Sequence, residues 1–419
     1  MSGVVVGSGV GVEGRGGPGP DPGPGRGRAG GPLAEVVRLR PGAGGVDWAL
    51  ERRCGWGERQ RIWWWLWSRC PGLGWVRLNC LWARYPDPAV AWGDTADGLL
   101  RTLGLPASAA AALARHRQRW GADPLAAARR AMGRQGPLLL PADPALPEAV
   151  LQLERPPTAL HWRGRGSLWA SLRRRQAVAV VGTRRPSPHG LAMAEALGAA
   201  LAQGGWPVVS GLAEGIDGAA HRGCLARGGR PVAVLGTGLD RVYPSHHAAL
   251  QRRVAAEGLL VSEQPAAAAV QPGHFAARNR LQVALARALV VVECPEASGA
   301  LHSARLAWDQ SLPIWVVPAD AGKPSAAGSN RLLAGMASPL LDPTDLLRQL
   351  GGGPLHPGTP PAVRSQSDGE LMAAIGHGAT LEQLCLALEL PSAAVFSRLL
   401  ALELAGAVRA EPGLRWQPT

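Results

Sequence analysis

The chain contains a single lysine, Lys323, among 419 residues. Nearly all cation chemistry therefore falls to arginine, which suits bidentate contacts to phosphate. Phenylalanine and tyrosine are almost as scarce, with two of each. A Phe in a polar segment thus needs a reason. Six cysteines, at positions 54, 70, 80, 224, 294 and 385, form no C-x-x-C pair. That excludes the usual zinc and disulfide frameworks and points to reduced thiols in a cytoplasm. No run approaches the roughly 18 apolar residues of a membrane helix. Arg61–Trp67 (RIWWWLW) and Ala288–Val292 come nearest and are far too short. The first thirty residues have no basic start followed by an apolar stretch, so they do not read as a secretory signal. No membrane insertion is expected.

What the chain does have is positive charge, a net +13. Residues 1–176 carry +12, 177–350 carry +3, 351–365 carry +1 and 366–419 carry −3. Such a balance suggests a polyanionic partner met mostly by the N-terminal part. The length allows about three domains at roughly 150 residues each.

Composition divides the chain into five. Residues 1–45 form a Gly/Pro-rich head that reads as disordered. Residues 46–135 show apolar spacing of three and four, and so predict a helical domain. Its Pro71-Gly72-Leu73-Gly74 turn fits either a phosphate-holding helix-hairpin-helix or an ordinary helix–helix connection. The cluster of Trp63, Trp64, Trp65 and Trp67 reads as core and interface. Residues 136–350 hold six short apolar runs: Ala177–Val181, Pro207–Val209, Val232–Leu235, Leu259–Val261, Leu289–Val292 and Ile314–Val317. Helical stretches separate them, near Leu191–Ala202, Glu214–Ala226, His246–Glu257, Arg280–Ala286 and Ala300–Asp309. That alternation predicts an α/β fold with a Rossmann-like parallel sheet covered on both faces. Residues 351–365 read as a linker. Residues 366–419 predict three helices and a hairpin around Glu411-Pro412-Gly413, a winged-helix arrangement, with Thr380 and Gln383 as a capping box.

No G-x-G-x-x-G follows the first strand. Gly182-Thr183-Arg184 meets a helix start there instead, and offers backbone N–H groups, a hydroxyl and a guanidinium to a phosphate. The second strand leads into Ser210-Gly211, Gly215, Asp217 and His221. The carboxylates and His221 could do acid–base work, although helix capping or a core hydrogen bond explains each of them alone. Gly273-His274-Phe275-Ala276-Ala277-Arg278-Asn279-Arg280 places one of the two Phe residues in a polar loop beside two Arg. Either Phe275 stacks on a base while Arg holds the backbone, or it plugs the domain edge while Arg278 pairs with Glu263 or Glu293. Ser298-Gly299 opens another helix, and Asn330 follows in a later loop. In an open parallel sheet, loops after strand C-termini form the ligand edge.

Taken in order, VGTRxxSxxG, SGLAxGIDxxAH, VLGxGLDxxYP, SExP, HFxxRNR and SGxLxSA resemble the DNA-processing protein A (DprA/Smf) family of bacteria, from about Trp48 to Gln417. The Pro71–Gly74 turn and Asp143–Pro147 match that family's N-terminal helical domain, of SAM or helix-hairpin-helix type. The resemblance implies a cytoplasmic, homodimeric single-stranded DNA binder of natural transformation. It would protect incoming strands and help load the recombinase RecA, with no catalytic residues, metal or cofactor. It implies DNA contacts from Gly182, Thr183, Arg184, Ser210, Gly211, Phe275, Arg278, Asn279, Arg280, Ser298, Gly299 and Asn330. His247 stands where the family usually has Asn, and the pocket lysines of many relatives have no counterpart here.

Two other classes compete. A phosphoribohydrolase-like nucleotide enzyme would carry PGGxGT and a following Glu, where Pro295–Ser303 reads PEASGALHS. A duplex-binding regulator would use a basic winged helix. This tail is acidic, and Arg398 and Glu403 are the only charges of Ser392–Ala405. The tail is therefore expected to contact protein.

Overall fold

Val178–Val181 is a continuous apolar run with every residue buried, as a strand covered on both faces requires. The computed structural model that shows this describes residues 46–419 apart from 267, 356–365, 377, 405, 412–414 and 419. The Gly/Pro-rich head, most of the linker and most of the tail's hairpin turn lie outside the described residues.

The large sheet has nine strands: β1 (Leu138–Leu139), β2 (Leu160–Gly164), β3 (Val178–Val181), β4 (Val208–Ser210), β5 (Pro231–Leu235), β6 (Leu259–Ser262), β7 (Ala288–Val291), β8 (Ile314–Val316) and β9 (Ser338–Pro339). Their spatial order is β1-β2-β6-β5-β4-β3-β7-β8-β9. The six expected strands, β3 to β8, are all present and pair in parallel. β9 extends them in parallel, while β1 and β2 run antiparallel at the other edge. The chain moves outward from β3 through β4 and β5 to β6, then returns to β7 on the opposite side of β3. The sheet therefore reverses its winding between β3 and β7, and the loops after these two strands flank a crevice.

Helices Pro188–Gln203 and Ile216–Ala226 pack on one face. Pro272–Ala284 and Gly299–Asp309 pack on the other. The helix expected from Arg280 actually starts at Pro272. Pro272 stands at a position where its missing N–H costs nothing. Phe275 thus lies in a first helical turn and not in a loop.

Residues 48–133 form seven α-helices, from Trp48–Cys54 to Pro124–Gly133. Trp63, Trp64, Trp65 and Trp67 are buried in their core. Trp64 meets Trp48 and Trp82 edge-on. Pro71–Gly74 does connect two helices, and Arg77 donates to the Gly72 carbonyl (2.9 Å), closing the turn on itself. The tail has helices Gln366–Ile375, Leu381–Leu388 and Ser392–Leu404. It also has β10 (Ala379–Thr380), β11 (Val408–Glu411) and β12 (Arg415–Pro418) in the order β10-β12-β11. Thr380 and Gln383 make the capping box. Among the described residues no helix is long and apolar enough to cross a membrane.

Candidate nucleic-acid interface

A cleft of ≈ 590 Å³ opens between the loops after β3 and β7. Gly182, Thr183, Arg184, Phe275, Arg278, Asn279, Ser298 and Gly299 all line it. Eight of the twelve expected contact residues, far apart in sequence, therefore meet at one place. Arg185, Gln282, Ser303 and Ser325 line it as well.

Its aromatic part is layered. The Arg184 guanidinium lies over the Phe275 ring at 5.7 Å, within reach of cation–π attraction. Tyr243 meets the same ring at 4.9 Å and 46°. Phe275 is half-buried, whereas Tyr243 is 41% exposed. Tyr243 is not among the contact residues that the sequence suggests. Its position in a Tyr-Pro pair after β5 gives no sign that it meets a residue on the far side of β6.

The cationic part is Arg184 and Arg185. Both are exposed, and neither makes an ion pair among the described residues. Several amides around the two helix starts are already occupied. The Thr183 amide donates to the Glu293 carbonyl (2.7 Å) and the Arg185 amide to Thr183 Oγ1 (3.2 Å). The Ser187 amide donates to both Glu293 carboxylate oxygens (3.3 and 3.2 Å). At the other helix start, the Ala300 amide is taken by Ser298 Oγ (3.2 Å). The two exposed guanidinium groups supply the cations for anion binding here.

Arg278 lines the cleft from below. It is 7% exposed and donates through Nη1 to the carbonyls of Gly211 and Val234. Its ion-pair partner is Asp217 (3.5 Å), not the Glu263 or Glu293 of the alternative in which Phe275 plugs the domain edge. Burial pushes the Asp217 carboxyl up, against the opposing pull of Arg278. Burial also lowers the Arg278 guanidinium from its ordinary value, yet arginine keeps its proton inside proteins. A Cβ on Gly211 would fall inside that guanidinium. The close approach that Gly211 allows is therefore to Arg278. Gly215 (φ +79°) does the same for the β3 loop, since a Cβ there would meet the Thr183 and Arg184 carbonyls.

Four expected residues lie outside the cleft lining. Gly211 is one. Ser210 is fully buried and its hydroxyl donates to the Val180 carbonyl (2.6 Å). Arg280 is bound to Glu263 (2.5 and 2.6 Å) and to the Arg155 carbonyl. Asn330 clasps both the amide and the carbonyl of Ala319. These side chains spend their hydrogen bonds on the scaffold. His221 is fully buried, and burial lowers it to about 3. His247 meets the Leu212 carbonyl at 3.0 Å and steadies Leu212, whose backbone is left-handed (φ 56°). Among the described residues no three His, Cys, Asp or Glu are grouped to hold a metal.

Comparison with known proteins identifies the family. The family model described as "DNA recombination-mediator protein A" matches residues 137–351, and the "DprA winged helix domain" matches residues 355–413. "Protein Smf" of Synechocystis is 34% identical over 315 residues, 67% of this chain and 79% of that protein. The chain belongs to the DprA/Smf family. Within the family, DNA processing protein A from Streptococcus pneumoniae shares the fold, with a TM-score of 0.58 at 24% identity over 70% of this chain and 98% of that one. A Helicobacter pylori member, described for its single-stranded DNA binding mode, is 31% identical over 49% of this chain and 92% of that one, with a TM-score of 0.44.

Proposed function

We propose that this family member binds single-stranded DNA at the β3/β7 cleft without catalysing a reaction on it. One observation carries the reading. Two exposed arginines without ion-pair partners among the described residues stand beside a partly open aromatic pair at the sheet's switch point. Cations for phosphates next to rings for bases make a sequence-tolerant single-strand site, in which a base–aromatic stack contributes roughly 1–3 kcal/mol. The carboxylates nearest the cleft support a binding role. Asp217 is committed to Arg278 and the Gly211 amide, and Glu293 to Ser187. A nucleotide hydrolase would need one of them free. The resemblance supports the finer role: a cytoplasmic homodimer that protects strands taken up in transformation and delivers them to RecA.

The test is titration of labelled poly-dT and of a duplex at two salt concentrations, with an Arg184→Ala, Phe275→Ala double variant alongside. Arg278 is left intact because its loss would strand Asp217. The expected result is a single-strand preference that weakens steeply with salt and falls at least about tenfold in the variant. Equal duplex binding that ignores the variant would move the activity elsewhere.

A further inference from the structure

The only lysine of the chain is not in the cleft but directly behind it. Lys323 Nζ lies 2.9 Å from Ser187 Oγ and 3.7 Å from Glu293 Oε1. Ser187 sits at the end of the loop that presents Arg184 and Arg185, and it caps helix Pro188–Gln203 by accepting from the Gly190 amide (3.1 Å). The same hydroxyl donates to Glu293 Oε2 (2.7 Å). One donor and two acceptor sites are all a serine hydroxyl has, and here Glu293, Gly190 and Lys323 use all three.

Glu293 is 2% exposed, and Lys323 is its one cationic partner among the described residues. A buried carboxylate without a cation is costly. Glu293 also fixes the loop at both ends, through its carbonyl on the Thr183 amide and its carboxylate on the Ser187 amide. Lys323 belongs to the strap after β8. That strap is itself anchored, since Asn330 clasps Ala319 and Ser329 exchanges two hydrogen bonds with Cys294. The ammonium therefore adds a direct tie from the strap to the end of the arginine loop, at Ser187.

We infer that Lys323 is a positioning residue for DNA: it latches the strap to the Ser187–Glu293 junction and so holds Arg184 and Arg185 at the cleft. This rests on the single-strand reading above. It explains how a chain with one lysine uses it, as a support for arginines that themselves meet phosphate.

The experiment uses the full-length protein as wild type, Lys323→Met and Lys323→Arg. Backbone hydrogen exchange reads the latch without DNA, and poly-dT titration over a salt series reads binding. In Lys323→Met the amides of residues 183–190 should exchange at least about tenfold faster while the core strands are unchanged. The slope of log K against log salt should become shallower by about 0.7 for each phosphate that the loosened arginines no longer neutralise. Lys323→Arg, which keeps the charge, should restore much of both. Unchanged exchange would overturn the latch. Faster exchange with an unaltered salt slope would overturn its role in DNA binding. If wild-type protein fails to bind poly-dT, the single-strand reading falls, and the positioning role for DNA falls with it; the exchange data then show separately whether the latch exists.

Discussion

At the scale of single residues, the cleft is a set of exposed side chains held by buried ones, and the two kinds differ sharply in what substitution should do. Gly211 makes the point. The family resemblance implies a DNA contact there, yet the neighbour that excludes a side chain is Arg278. Alanine there would push the guanidinium off the Gly211 and Val234 carbonyls and away from Asp217. Overpacking costs typically 1–3 kcal/mol, and a disturbed buried pair adds to that. Gly211→Ala should therefore lower the urea midpoint clearly, by roughly 2 kcal/mol or more in stability. Arg184→Ala, at an exposed side chain, should change stability by less than about 0.5 kcal/mol. Equal midpoints for the two variants would show that Arg278 relaxes without penalty. Ser210 and Asn330 follow the same logic. Sequence showed their donors and acceptors. Whether these face a ligand or a neighbouring strand depends on partners such as Val180 and Ala319, which only the fold brings near.

At the scale of elements, the six central strands were legible because a parallel strand buried on both faces must be a continuous apolar run. β1 and β2 were not legible. Leu138–Leu139 is two residues long, and β2 ends in Arg163-Gly164, so neither carries such a run. The start of Pro272–Ala284 was hidden by Pro272-Gly273, which reads as a break although a first helical turn tolerates both. The winged helix was legible from its caps, but its surroundings were not. Helix Ser392–Leu404 packs toward helix Leu168–Arg173. Phe396, Leu400 and Glu403 help line a ≈ 570 Å³ cavity shared with Ile62, Met132, Leu138 and Trp162. The helix that would read duplex DNA in a DNA-binding winged helix thus faces its own chain. Removing residues 366–419 should leave duplex affinity unchanged within about twofold and should expose apolar surface. Binding of an environment-sensitive apolar dye checks the second outcome. A severalfold loss of duplex affinity would instead assign this helix to DNA.

At the scale of the whole molecule, three separate regions each bury a histidine that limits acid tolerance. His116 lies in the N-terminal Trp core, and His161 on β2 faces Arg69. His221 lies beneath the cleft near Arg278. Burial lowers them to about 4, about 4 and about 3 respectively, and neighbouring arginines add to the effect. In the unfolded chain each returns to about 6.5. Between those limits the unfolded state binds more protons than the native state, so stability is full above about pH 6.5 and declines as pH falls below it. Each histidine accounts for up to about 2 kcal/mol at pH 5. Glu293 adds a later loss. Burial alone would raise it, but Ser325, Ser187 and Lys323 hold its carboxyl below the ordinary value. Its contribution therefore disappears only as pH falls through the lower carboxylate range. Urea midpoints measured from pH 7.5 to 5 should accordingly drop well before carboxylates protonate. Because the groups are buried, the drop should be nearly the same at low and moderate salt. A midpoint that stays flat down to pH 5 would mean that these imidazoles reach solvent or gain partners on protonation, and the packing described around them would then be wrong.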